Sequence, residues 1–276
     1  LFGDGPGDGE KRSVKGSAPD GGGRSEGGTG DSRRTRPRAE PEFGKGNWRY
    51  GDLKFLEGVG LKTRFRNNIA AIKTVRQLEA EGRAATPEEQ QTLAKFTGWG
   101  QFPALFKQWP GEDWQKEQQQ LKDLLSEDEY SAARKSSDTP EGYQAARKAT
   151  LNSHFTSPKI VDAHWRIARK LGFTGGKFLE PSIGSGYYVG MMPPDLAKRT
   201  TVTDVELDKS TAQVAKHLYP SATIKNMGFE EFAAPDNFYD LVASNVPFGD
   251  YKINEARYNK FRAPIHDHFF LKSIDK

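Results

Sequence analysis

The sequence predicts an α/β fold in which a parallel sheet is covered by helices, preceded by a helical region and a glycine-rich linker. Three observations predict it. Short apolar strands alternate with helices over residues 151–276, the first of those strands runs into a glycine-rich turn, and composition shifts sharply near residues 46 and 150.

Residues 1–46 hold thirteen glycines and four prolines among hardly any large apolar side chains. Runs such as Gly21-Gly22-Gly23 bury too little surface to offset chain entropy, so a disordered linker is expected. Within it, Arg33-Arg34-Thr35-Arg36-Pro37-Arg38 reads as a solvated basic tail, with phosphate contact as the alternative. Residues 47–150 read as helical. Ile69, Ile72, Val75 and Leu78 recur at three- to four-residue spacing and share one helical face. Thr86-Pro87-Glu88-Glu89 is a helix start: Thr86 caps, Pro87 fits the first turn and Glu89 completes a capping box. Ser126-Glu127-Asp128-Glu129 repeats the device. Between them Phe96-Thr97-Gly98-Trp99-Gly100 presents a glycine-bracketed tryptophan, read as a core plug at a helix corner or as a stacking surface for a base.

In residues 151–276 a helix is expected from Ser157-Pro158 to about Leu171. Strands follow at 177–180, 201–206, 222–225 and 240–244, with helical connectors at 208–218 and 265–274.

Composition excludes several chemistries. Without cysteine there is no disulfide, no cysteine-ligated zinc or iron–sulfur cluster and no thiol nucleophile. No apolar run approaches the roughly 20 residues of a membrane span, and no secretory signal opens the chain; the fit is to a cytoplasmic protein. The net charge of +4 is spread evenly, so charge alone gives little pull on a polyanion.

Three motifs carry chemistry. In Phe178-Leu179-Glu180-Pro181-Ser182-Ile183-Gly184-Ser185-Gly186 a strand ends in a glycine turn that lets a ligand approach the backbone. Gly184, Gly186 and Gly190 also match a dinucleotide fingerprint, but a carboxylate at Glu180 would repel a pyrophosphate. It suits the ammonium and sulfonium of S-adenosylmethionine, both cationic. Glu206, closing strand two about twenty residues past the turn, is placed to accept from ribose hydroxyls, while Asp208 caps the next helix. The third motif is Asn245-Val246-Pro247-Phe248 after strand four. An adenine amino group is a weak nucleophile because its lone pair is delocalised into the ring. The Asn245 side-chain oxygen and the Val246 carbonyl can accept its two hydrogens and draw the nitrogen toward tetrahedral geometry. Pro247 fixes the turn, and Phe248 offers a face to a flipped base.

These residues resemble a class I, S-adenosylmethionine-dependent, N6-adenine DNA methyltransferase. His154-Phe155-Thr156-Ser157-Pro158 is similar to that family's leading motif, which implies that Phe155 and Thr156 line the methionine end of the cofactor. Glu180 to Gly186 resembles its glycine motif, implying cofactor contacts from Glu180, Pro181, Gly184 and Gly186. Asn245-Val246-Pro247-Phe248 resembles its catalytic signature, with Val246 where a proline is usual. Gly228-Phe229-Glu230-Glu231 stands where the family has an acid near the base, which puts Phe229 or Glu230 there. The valine variant, with Ile265-His266-Asp267-His268-Phe269-Phe270, is similar to the very large phage- and plasmid-borne methylase–helicase proteins. So is the helical stretch around Gly98-Trp99-Gly100. The resemblance covers about residues 60–276. It implies DNA as partner, a helicase module in the parent chain, a role in mobile-element modification or antirestriction, and a Rossmann-like class I methyltransferase sheet.

That family's sheet has seven strands, three of them beyond strand four, whereas Lys276 follows directly on the fourth strand's helix. The expectation is a sheet truncated after strand four, with residues 151–276 the N-terminal part of the methyltransferase domain, or a partner that completes it. An isolated chain is then expected to be inactive and aggregation-prone. Cytosine C5 methylation is excluded for want of the cysteine nucleophile. His266-Asp267-His268 is not expected to hold a metal, because helical residues two apart point in different directions. Tyr251, Lys252 and Arg257 to Arg262 interleave basic and aromatic residues, suited to phosphate and base contacts or to a solvated loop. Two other functions fit the same motifs: a glutamine-N5 protein methyltransferase, and a non-catalytic DNA-binding module that keeps the fold.

Overall fold

A computed structural model describes residues 46–51, 58–107, 109–126 and 156–276. The expected linker, the acidic stretch after Ser126 and Phe155 lie outside the described residues.

Helix α1 (Leu61–Glu81) buries Ile69, Ile72, Val75 and Leu78 as their spacing predicts, and stops at Gly82 in the left-handed region, φ 62°. Helix α2 (Pro87–Leu93) starts on the Thr86–Glu89 capping box. Two short 3₁₀ turns, Pro103–Phe106 and Glu112–Trp114, lead to α3 (Gln115–Ser126). Ser126 is the last described residue of α3, and the helix start expected at Ser126-Glu127-Asp128-Glu129 lies outside the described residues. Trp99 is 1% exposed and packs edge-on against Phe96, Phe102 and Phe106. Of its two readings the core plug holds, and no exposed platform exists there.

Helix α4 (Pro158–Lys170) precedes a sheet of β1 (Gly176–Glu180), β2 (Thr200–Glu206), β3 (Thr223–Asn226) and β4 (Leu241–Val242). The short helices α5 (Tyr187–Gly190) and α6 (Pro194–Ala197) separate β1 from β2. Helix α7 (Lys209–Leu218) leads to β3, and α8 (Ile265–Asp275) follows β4. Asp208 caps α7 as expected, its carboxylate accepting from Thr211 N–H. All pairings are parallel, in the order β3-β2-β1-β4, with Phe178 opposite both Val202 and Leu241. β4 is shorter than the predicted 240–244. Its ladder continues at both ends through Asp240 N–H to Lys177 O, 2.9 Å, and Ala243 N–H to Leu179 O, 3.2 Å.

Alternation sends strand residues to two cores. Phe178 and Val202 join the large cluster that also holds Phe65, Leu78, Trp99 and Trp165, so the helical region and one face of the sheet share a single core. Leu179 and Val205 face Phe229, Val246, Ile265 and Phe269 on the other side. With helices on both faces this is a Rossmann-like α/β fold. Residues 46–51 lie across the first of those layers. Trp48 N–H bonds Leu218 O at 2.7 Å and Tyr50 N–H bonds Gly190 O at 3.0 Å, while Gln90 of α2 reaches Gly46 O. Among the described residues no helix is long and apolar enough to cross a membrane.

Candidate functional site

The chain builds from β1 outward to β3, then returns to place β4 on the other side of β1. A reversal of this kind leaves a crevice outside the carboxyl ends of the two central strands, where ligands bind in open α/β sheets. The residues at that point are the two corners singled out in the sequence. They are tied directly: the Ser244 hydroxyl, next to Asn245, donates to Ser182 O in the glycine corner at 3.1 Å.

The glycine corner is held from behind by two buried tyrosines. Tyr219 donates to Gly186 O at 2.8 Å, and Tyr50 donates to Ser185 O at 3.2 Å. Gly186 is left-handed, φ 69°, and a Cβ there would lie 2.4 Å from the Tyr219 ring. A Cβ at Gly190 would lie 2.5 Å from the Tyr50 ring. These two glycines make room for the protein's own tyrosines rather than for a pyrophosphate. Gly184 is different. It lines the crevice, and a Cβ on it would meet nothing within 4 Å.

The crevice encloses a cavity of about 460 Å³. Thr156, Glu180, Pro181, Gly184, Glu206, Asn245 and Pro247 line it, as do Phe229, Glu230 and Tyr251. Val246 instead buries its side chain in the second core. Phe248 stands outside the lining, 51% exposed, its ring 5.9 Å from that of His266. Lys252 is exposed and bridges to Pro264. Arg257 is not brought to the cavity. It forks onto Asp236 at 2.9 and 2.8 Å and pairs with Asp275 at the far end of α8, so its charge is already matched. His268 sits 2.8 Å from Glu255, which also takes the buried Lys272 ammonium. This knot fastens the loop after β4 to α8.

Sequence reasoning missed part of the wall. Phe96, Thr97, Gly98 and Trp99 of the helical region line the cavity, together with Tyr187 and Tyr188. The glycine bracket around Trp99 marks a turn, but nothing local says that the turn reaches the sheet.

The crevice is acidic and starved of partners. Glu180 is 2% exposed, and its Oε2 has no hydrogen-bond partner in the described structure. Asp204, across the β1–β2 register from it, is fully buried with neither oxygen partnered. Burial first, then the neighbouring charges of Asp204 and Glu206, push the Glu180 carboxyl well above the usual carboxylate range; burial does the same to Asp204. Glu206 keeps some exposure to the cavity but lies deep in the crevice. It accepts Gly184 N–H at 3.0 Å and Asp208 N–H at 2.9 Å. Burial and the Asp208 charge nonetheless raise it from 4.5 to about 7.

A pH dependence follows. A carboxyl whose folded-state pKa is raised holds its proton more tightly folded than unfolded. The resulting stability is full below the unfolded value and is lost as pH rises through the folded one. For Glu206 that window runs from 4.5 to about 7. The ion-paired Glu89 and Asp236, held down to about 2, change only below it. The ligand-free chain is expected to melt at progressively lower temperature between about pH 5 and about pH 8, and Glu206→Gln to make that slope shallower, with the raised Glu180 and Asp204 carrying the remainder. Thermal melts across the range check this, and a melting temperature that climbs with pH would contradict it.

No family model matches the chain. A stretch of 132 residues, 46% of the chain, is 28% identical to the Defense against restriction protein B of Escherichia phage P1 and spans 6% of that protein's length. A solved Listeria monocytogenes structure described as a class I S-adenosylmethionine-dependent methyltransferase is 15% identical. It matches over 77% of this chain and 69% of its own, with a TM-score of 0.35.

Proposed function

We propose that this chain binds S-adenosylmethionine in the switch-point crevice and transfers its methyl group to the N6 amino group of adenine in DNA, as part of a larger mobile-element methylase–helicase protein. One observation carries the reading: the Glu180–Glu206 corner and the Asn245–Pro247 corner line one cavity at the adjoining ends of β1 and β4.

The residues present fit such a cofactor. A cavity of about 460 Å³ is in the range of small-molecule sites. The orphaned Glu180 Oε2 is a buried acceptor suited to an ammonium, and the surrounding acids favour a cation over a pyrophosphate. Glu206 retains lone pairs for ribose hydroxyls beyond the two backbone N–H groups it already accepts. When bound, the cofactor supplies a methyl group on a sulfonium centre. Asn245 and the Val246 carbonyl hold and polarise the target amine, and Phe248, half exposed at the rim, offers its ring to an extruded base. The name of the phage relative concerns defence against restriction, and protection of mobile-element DNA is the setting we assign to the reaction.

The test is transfer of tritiated methyl groups, with DNA and protein substrates offered side by side. It uses this chain and a version extended past Lys276, where the resemblance expects the sheet to continue. Label in adenine of DNA is the expected result, from the extended version at least. Label in glutamine of a protein would replace this reading with the amide methyltransferase. Cofactor binding without any transfer from the extended version would leave a non-catalytic module.

A further inference from the structure

Several buried side-chain polar atoms lack a partner in the described structure, and two of them belong to residues that line the cavity: Glu180 Oε2 and Trp99 Nε1. One is an acceptor on the sheet. The other is a donor on the helical region. Both residues are at least nine-tenths buried, at 2% and 1% exposed, so bulk water does not serve them. A buried indole N–H without an acceptor is unfavourable, as is a buried carboxylate oxygen without a donor.

The turn that carries Trp99 is fixed in place. Asn68, fully buried on α1, accepts Thr97 N–H at 2.8 Å through its Oδ1 and donates through Nδ2 to Gly98 O at 2.6 Å. Phe96, Phe102 and Phe106 pack edge-on around the indole. The turn that carries the indole is thus held rigidly, and no described residue accepts its N–H.

An unpaired acceptor and an unpaired donor around one cavity are the complement of a zwitterion. We infer that Trp99 donates its indole N–H to the α-carboxylate of the bound cofactor's amino-acid end, whose α-ammonium Glu180 takes. The inference rests on the reading that the crevice binds S-adenosylmethionine. It makes the helical region a part of the cofactor site, with Asn68 as the residue that positions it.

The experiment uses the whole chain labelled with ¹⁵N at its tryptophan indoles. It compares S-adenosylhomocysteine with 5′-methylthioadenosine, which lacks the amino-acid end, each titrated calorimetrically in parallel. The expected result is a downfield shift of the Trp99 indole proton with S-adenosylhomocysteine and little with methylthioadenosine. Trp99→Phe is expected to weaken S-adenosylhomocysteine by about tenfold and methylthioadenosine by distinctly less. Because the indole shift is read in the unmutated protein, misfolding of the variant does not blunt the test. Heat of binding with S-adenosylhomocysteine but an unmoved Trp99 resonance, or equal shifts with both ligands, overturns this inference and leaves the cofactor reading standing. Absence of binding by either ligand overturns the cofactor reading and this inference with it.

Discussion

Asn245→Ala is expected to lower the rate of methyl transfer by about 10²–10³-fold while leaving the Kd for S-adenosylmethionine within about twofold. The asymmetry follows from where the residue stands. Asn245 lines the cavity from the end of β4, whereas Glu180, Gly184 and Glu206 belong to the β1 and β2 ends. Its assigned work is on the amine, and its contribution grows as that nitrogen gains positive charge. An interaction that strengthens only as the reaction proceeds appears in kcat rather than in ground-state affinity. Its neighbour makes the contrast useful. Val246 is 7% exposed and packed among Leu179, Val205 and Phe269, so trimming it to alanine would loosen the second core rather than remove a polar group. Single-turnover kinetics on the extended version, with cofactor binding measured separately, resolves the two parameters. If Asn245→Ala turned over at the unmutated rate, the corner would not be catalytic and the non-catalytic reading would take its place.

Much of this architecture is legible in the residues alone, for identifiable reasons. The strands 177–180 and 201–206 are short apolar stretches set between helices, and Thr86 and Asp208 announce their helices through short-range capping chemistry that needs no tertiary help. The glycine and Asn-x-Pro corners are local too, and a parallel sheet dictates that they meet at its carboxyl edge. What could not be read depends on packing between distant segments. Thr97 and Gly98 reach the cavity because Asn68, about thirty residues earlier, holds their backbone. Arg257 sits in a basic, aromatic stretch that suggests phosphate, but Asp236 and Asp275 claim it. In each case the local signal is genuine, and a partner far along the chain decides its use.

The glycine corner gives a comparison in which two neighbouring glycines should fail in different ways. Gly184 and Gly186 both have positive φ, 51° and 69°, so alanine at either incurs backbone strain of about 1–2 kcal/mol. At Gly186 the new methyl would also sit 2.4 Å from Tyr219 Cε2, in a ring that is fully buried and whose hydroxyl holds the Gly186 carbonyl. Such overpacking adds about 1–3 kcal/mol, which brings Gly186→Ala to roughly 2–5 kcal/mol, a large share of a domain's typical 5–15. Urea denaturation should therefore show Gly186→Ala markedly less stable than Gly184→Ala. Adding Tyr219→Leu should recover part of the difference, because a shorter side chain withdraws the clashing edge. Gly184→Ala should show the reverse balance. Its methyl meets no protein atom, but the residue lines the cavity, so the loss should appear in cofactor affinity more than in the unfolding midpoint. Equal destabilisation by the two alanines would mean that Tyr219 does not brace the corner. The glycines would then have to be explained by the ligand after all, returning the dinucleotide reading that Glu180 argues against.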